Sequence, residues 1–188
     1  MLTVDFETMA DFRPRPPGQT LLELNVADVD LDAFQSLFQR LTAAGITFTT
    51  LRERQTADSQ WLEQFTFLDN QTRSTSGNPE VPRSVAAVRS RITKLALDPA
   101  ACFVARDVER WIGYTVLDTT HSSPMRLHQG WTGVLPAYQR RGIGTALKVL
   151  AVGYARQNGY AFIETTLRAS NVASQALSRR VGFRTPAG

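Results

Sequence analysis

Residues 139–145 read Gln-Arg-Arg-Gly-Ile-Gly-Thr, and they follow Trp-Thr-Gly-Val-Leu-Pro at 131–136. A strand-like apolar run meets a proline, and two arginines and two glycines then open a helix. Such a loop turns the backbone N–H groups of Arg140, Arg141, Gly142, Ile143, Gly144 and Thr145 toward one point at the positive end of the helix. The glycines leave nothing bulky there to hold a phosphate away. The Arg140 and Arg141 guanidiniums add charge and forked donors that suit phosphoryl oxygens. Behind the loop, Ile143, Ala146, Leu147, Leu150, Ala151 and Tyr154 form an i, i+3, i+4, i+7 stripe. The chemistry this pattern fits is capture of a phosphate or pyrophosphate.

Two common nucleotide loops do not fit. A Walker loop needs Gly-x-x-x-x-Gly-Lys-Ser/Thr, which the chain lacks. A dinucleotide fingerprint needs a third glycine and an acidic residue about 20 positions on, and neither is clear.

The elements that must position this loop follow from turn signals and periodicity. Residues 11–19 hold three prolines and a glycine and read as an extended arm, followed by a short strand at 20–26. Asp28 or Asp30 caps a helix that runs to about Ala44 and ends at Gly45. Residues 46–51 read as a strand, 58–70 as a helix, 71–83 as a polar loop and 84–97 as a third helix. Strands follow at 101–105 and 111–117 around a turn at 107–109, and 118–125 is a loop. The strand at 127–134 leads into the phosphate loop and the long helix at 142–157, stopped by Asn158-Gly159. A strand at 160–167 and a helix at 171–181 close the chain.

Length and composition restrict the class. The 188 residues suit one domain with a substantial core, and the apolar (43%) and charged (20%) shares are those of an ordinary globular protein. No run reaches the length of a membrane span. The N-terminus carries Asp5 and Glu7 and no basic-then-apolar leader pattern, so a cytoplasmic location is expected. The net charge of +4 is almost all arginine, spread along the chain without the aromatic-interleaved stripe of a nucleic-acid binder. Cys102, the only cysteine, reads as core.

From residue 46 onward the order is β–α–α–β–β–β–α–β–α. With the Gln139–Thr145 loop, this resembles the GNAT superfamily of N-acetyltransferases over about residues 45–183. A second motif supports it: Asn171-Val-Ala-Ser-Gln-Ala-Leu-Ser178-Arg-Arg-Val-Gly182-Phe183 matches the family's Asn-x-x-Ala-x-x-Leu-Tyr-x-x-x-Gly-Phe closing helix in spacing. Ser174 stands for the usual alanine, and Ser178 for a tyrosine.

The resemblance implies an α+β fold. A mixed, mostly antiparallel, twisted central sheet would be flanked by helices, with its central strands splayed apart. It implies acetyl-CoA as co-substrate and transfer of an acetyl or other short acyl group to a primary amine, by direct attack in a ternary complex. Pantetheine would lie between the strands at 127–134 and 160–167 and pair with the backbone of Gly133 and Val134. Pyrophosphate would meet Gln139 and Arg140–Thr145, and Asn171 would bond to the pantetheine arm. No metal is implied. The acceptor would be a small-molecule or protein amine, with neither membrane nor nucleic acid as partner.

Catalysis needs a neutral amine, a stabilised oxyanion and a stabilised or protonated thiolate. Ser178 is shorter and far less acidic than the tyrosine it replaces. The thiolate leaves unaided, a hydroxyl such as Tyr154 or Tyr160 or a water serves it, or the chain is an inactive acyl-CoA-binding regulatory module. Glu164 is the first candidate base, and His128 on the neighbouring strand is another. Glu63 and Asp69 either steer a cationic acceptor or form a solvated face.

The ends depart from the family pattern. Only five residues follow Phe183, too few for the usual last strand. The division expected is an N-terminal extension at 1–44 and the acyltransferase domain at 45–188, similar to the C-terminal half of tandem GNAT proteins. The strand at 20–26, carried by the arm, is expected to cover the vacant sheet edge. It would do so within the chain or by exchange in a homodimer.

Overall fold

The computed structural model describes residues 18–74, 81–94, 98–119 and 123–186. Of the expected arm at 11–19, residues 11–17 therefore lie outside the described residues, and Gln19 already belongs to a strand. Six strands form one open sheet: β1 (Gln19–Asn25), β2 (Ile46–Thr50), β3 (Cys102–Asp107), β4 (Arg110–Thr119), β5 (Arg126–Val134) and β6 (Phe162–Arg168). Their order across the sheet is β1-β6-β5-β4-β3-β2. Every neighbouring pair is antiparallel except β5 and β6, which are parallel. That parallel pair needs a crossover, and α5 (Ile143–Gln157) supplies it.

Helices cover both faces. Gly113 of β4 faces α5, since a Cβ there would sit 3.4 Å from Leu147 Cδ1. Its neighbour Tyr114 therefore faces the other side, where its ring meets Phe65 of α3 (Trp61–Ser74) edge-on at 4.9 Å. The α5 side also holds α1 (Gln35–Ala43) and α6 (Val172–Val181), and α4 (Val85–Lys94) packs beside α3. The long helix buries Ile143, Leu147 and Val152 because its apolar stripe runs the length of the sheet.

Three differences from the sequence reading have local causes. A helix α2 (Leu51–Ala57) begins where the strand was expected to end. Thr50 and Glu53 make a capping box: Thr50 Oγ1 accepts from Glu53 N–H, and Glu53 Oε2 accepts from Thr50 N–H. The helix α3 starts at Trp61 and continues through Ser74, into the stretch read as loop. The first helix starts at Gln35 after a 3-10 turn, with Asp30 accepting from Asp32 N–H.

The vacant edge is covered within the chain. Strand β1 pairs along its whole length with β6, from Gln19↔Arg168 to Asn25↔Phe162. Past the last helix, Arg184 makes a two-way backbone bridge with Glu23 on the outer side of β1. Leu22 and Leu24 are fully buried against a cluster with Ile163, Val181 and Phe183.

Candidate active site

The parallel ladder between β5 and β6 has three rungs: Arg126↔Phe162, Leu127↔Ile163 and His128↔Glu164. Beyond them the two strands part, because each is held by its outer neighbour. Thr165–Arg168 pair with β1, and Thr132–Val134 pair with β4. A bulge assists on β5. Thr115 faces Thr132 while Leu117 faces Gln129, so Gly130 and Trp131 lie opposite Val116 alone. At the vertex, Thr165 Oγ1 donates to the Gln129 carbonyl at 2.9 Å. The inner backbone groups of both lips face a gap that an extended chain with amides could enter as an added strand.

The gap opens toward the loop singled out by the sequence. Gln139 Nε2 donates to the Val134 carbonyl at 3.0 Å, tying the loop to the β5 lip. Gly142 adopts φ +91 as N-cap of α5, and Arg140 also sits in the left-handed region at φ 60. Arg141 donates to the Ala137 carbonyl at 2.9 Å and stacks over Tyr138. Ile143 and Thr145 are buried, whereas Arg140 and Arg141 are exposed. A Cβ at Gly144 would meet Leu177 Cδ2 at 3.2 Å, so the missing side chain lets α6 approach the loop. Gly133 is demanded by α3, since a Cβ there would lie 2.6 Å from Thr72 Cβ. These glycines let α1, α6 and α3 pack close to the loop and the β5 lip, since Leu37, Leu177 and Thr72 take the space a side chain would need; the open helix start with the exposed Arg140 and Arg141 beside it fits a pyrophosphate.

On α6, Asn171 is the N-cap, its Oδ1 accepting from Ser174 N–H at 3.1 Å. Ser178 is wholly buried, and its Oγ has no hydrogen-bond partner. Such a hydroxyl lacks a fixed acceptor inside the protein.

On the face away from α5, the last paired rung belongs to a row of ionisable groups across four strands. Glu23 lies opposite Glu164, Glu164 opposite His128, and His128 opposite Asp118. Arg126 forms an ion pair with Glu23, which relieves the like charge beside Glu164. His128 Nδ1 lies 3.7 Å from Asp118 Oδ2, and Asp118 Oδ1 is buried without a partner. Glu164 and His128 are thus brought together at the fork, on one face.

Other candidates are placed elsewhere. Asp69 neither steers an acceptor nor forms a solvated face. It is 2% exposed and accepts hydrogen bonds from Tyr114, Arg73 and Arg83. Glu63 is exposed. The Tyr154 hydroxyl donates to Asp98 at 2.9 Å, and burial together with that bond raises its pKa to about 12. It is held as a neutral donor to Asp98 rather than offered to a thiolate. Burial raises the Cys102 thiol far above its usual range, which suits a core residue.

Lys148 escaped the sequence reading. It is 3% exposed within α5, and its Nζ donates to Gln129 Oε1 at 2.6 Å. Gln129 Nε2 in turn donates to Thr115 Oγ1, which is hydrogen-bonded to Thr132 Oγ1 at 2.7 Å. This chain braces the fork from the α5 side, and burial lowers the Lys148 pKa to about 7. A lysine inside an apolar helical run, with Gln129 at a core parity in β5, is the signal that marks it.

A mixed sheet whose parallel pair splits above a glycine-rich helix start defines the acyl-CoA acyltransferase class. The chain belongs to the acetyltransferase (GNAT) family, whose sequence model matches residues 60–183, and members of this family use acetyl-CoA. Solved structures agree. A GCN5-related N-acetyltransferase from Sphaerobacter thermophilus is 17% identical with a TM-score of 0.60, over 89% of this chain and 48% of that one. A tandem GNAT protein from the clavulanic acid biosynthesis pathway is 17% identical with a TM-score of 0.61, over 89% and 50%. The yncA protein of Salmonella typhimurium, solved with its cofactor acetyl-CoA, is 18% identical with a TM-score of 0.58, over 76% and 82%. The chain spans about half the length of the first two. At such identities the likeness is one of fold. No curated protein matches the chain. Among the described residues, no helix is long and apolar enough to cross a membrane.

Proposed function

We propose that the protein transfers an acetyl or other short acyl group from acyl-CoA to a primary amine, by direct attack within a ternary complex. The observation that carries this reading is the fork between β5 and β6, which opens onto the Gln139–Thr145 helix start. Acetyl-CoA, when bound, supplies the thioester carbon and the departing thiol. The backbone of Gly133 and Val134 would hold its amides, and Val134 N–H would donate to the thioester carbonyl. The N–H groups of Arg140–Thr145, with the Gln139, Arg140 and Arg141 side chains, would hold the pyrophosphate. Asn171, whose Oδ1 caps α6, has its amide N–H₂ left for the pantetheine arm.

Glu164 takes the proton from the incoming amine, with His128 beside it across the fork, because this half-exposed face gives the acceptor its approach. Ser178 donates a hydrogen bond near the leaving sulfur without protonating it. The partner is a small-molecule or protein amine, and the setting is the cytoplasm.

Calorimetry with acetyl-CoA tests the reading. Binding should raise the melting temperature, and Arg141→Glu, at an exposed position of the loop, should weaken binding and shrink the shift by setting a carboxylate against the phosphates. No binding at millimolar acetyl-CoA would refute it. The lack of a tyrosine at Ser178 favours one other reading, an acyl-CoA-binding regulatory module. A wild-type protein that binds acetyl-CoA, yet releases no free thiol across a panel of amines, would select that second reading.

A further inference from the structure

Polar side chains gather at the closed end of the fork, on its α5 side. Gln129 and Thr165 are the first residues past the last rung of the parallel ladder, His128↔Glu164. Both are buried, as are Thr115 and Lys148. Lys148 Nζ donates to Gln129 Oε1, and Thr165 Oγ1 donates to the Gln129 carbonyl. An ammonium carries three N–H donors, and among the described residues only Gln129 accepts from this one. No carboxylate pairs with it among those residues either. The ionisable row of Glu23, Glu164, His128 and Asp118 lies on the opposite face of the sheet.

Lys148 lies about 9 Å along α5 from the Gly142 N-cap. One helix thus presents free N–H groups at the loop and an ammonium at the fork. Phe183 links that ammonium to α6: its ring centre lies 5.1 Å from Lys148 Nζ, and its N–H donates to the Ser178 carbonyl at 3.2 Å. The Ser178 hydroxyl on α6 is a poor acid. A buried cation with spare donors is costly, and negative charge developing at the fork offsets that cost. Burial lowers the Lys148 pKa to about 7, below the value of about 8.5 for a cysteine thiol. A proton therefore passes downhill from Nζ to an alkyl thiolate.

We propose that Lys148 is the catalytic acid of the transfer, its ammonium donating to the departing sulfur at the closed end of the fork. As the amine nitrogen bonds to the thioester carbon, the carbon–sulfur bond breaks and its electron pair goes to sulfur. One Nζ proton passes to that sulfur and gives the free thiol. Glu164 takes the proton shed by the amine and returns it to solvent, and solvent restores the proton of Lys148. A side chain of α5 thus fills the role for which Ser178 is too weak an acid. This rests on the acyl-transfer reading above.

The test compares coenzyme A with desulfo-coenzyme A, which lacks only the sulfur, by calorimetry of the full chain at about pH 6, where Lys148 is mostly charged. The wild type should bind coenzyme A about fivefold more tightly, and Lys148→Met should equalise the two by weakening coenzyme A alone. With the best amine of the panel, Lys148→Met should lower kcat about a hundredfold or more, the scale of a lost general acid, with KM for acetyl-CoA within about threefold. Gln129→Glu is a second variant that keeps the side-chain shape. Its carboxylate should hold the Lys148 proton more tightly and lower kcat about tenfold, with desulfo-coenzyme A affinity unchanged. Equal wild-type affinities for the two ligands, or an unchanged kcat in either variant, would overturn the inference and leave acyl transfer standing. A loss in Lys148→Met that is the same for both ligands would mark a mere brace and overturn it too. A wild type that binds neither ligand, or that binds acetyl-CoA and releases no thiol, would overturn the acyl-transfer reading together with this inference.

Discussion

At the scale of single residues, the proposed base Glu164 and its neighbour His128 lie at the fork, whereas α6 offers only the hydroxyl of Ser178. Ser178 Oγ is buried without a partner, so it can lend a hydrogen bond but has nothing to take its own proton. Ser178→Ala should therefore lower turnover by less than about tenfold, below the 10²–10⁴ ascribed to a working general acid or base. A loss of several hundredfold with acetyl-CoA affinity unchanged would make the serine essential. Glu164→Gln should slow turnover at neutral pH and recover at high pH, where the amine is already neutral. An unchanged pH–rate profile in Glu164→Gln would remove Glu164 and leave the proton to His128, which faces it in register.

At the scale of elements, α5 joins the phosphate loop to the fork through a buried cation. Lys148 has its pKa lowered from 10.5 to about 7 by burial. Between those values the unfolded chain carries more protons than the folded one, so stability rises with pH across the window; below it both states hold the proton, and this contribution stays flat at its lowest value. Unfolding free energy measured by denaturant should climb from about pH 7 toward pH 9, and Lys148→Met should flatten that slope. The slope is the diagnostic quantity, because methionine also leaves Gln129 Oε1 without its donor. A slope unchanged by the substitution would place the titration elsewhere.

For the whole molecule, the sheet is completed by a strand from the far end of the chain. Strand β1 sits on β6 of its own chain, and Leu22 and Leu24 fill the core behind it. Leu24→Ala should cost about 2–5 kcal/mol in chemical denaturation. Deleting residues 1–27 should expose the β6 edge and its apolar neighbours, giving aggregation although the phosphate loop is intact. A truncated protein that stays soluble and equally stable would show that β1 does not maintain this edge. Sedimentation at rising concentration would reveal whether the same strand exchanges between copies.

The glycine-rich start of α5 was legible in the sequence because its requirements are local. A positive-φ glycine at the N-cap, close helix approach at Gly144 and an i, i+3, i+4 stripe are all written within a few residues. The order of strands and the closing helix were legible for the same reason. Elements with signals only in pairs of residues were missed or shifted, as with the Thr50–Glu53 box that starts α2. What sequence could not fix were relations across long separations. Asp69 reads as a surface acid until Tyr114 and Arg83 are folded over it. Lys148 carries no sequence reading until Gln129 meets it in the core, and Arg40 is remote from the loop until α1 packs on Gly142. Periodicity reports which side of an element is apolar. Only the packing of distant segments decides which polar groups are removed from water, and therefore which of them can act.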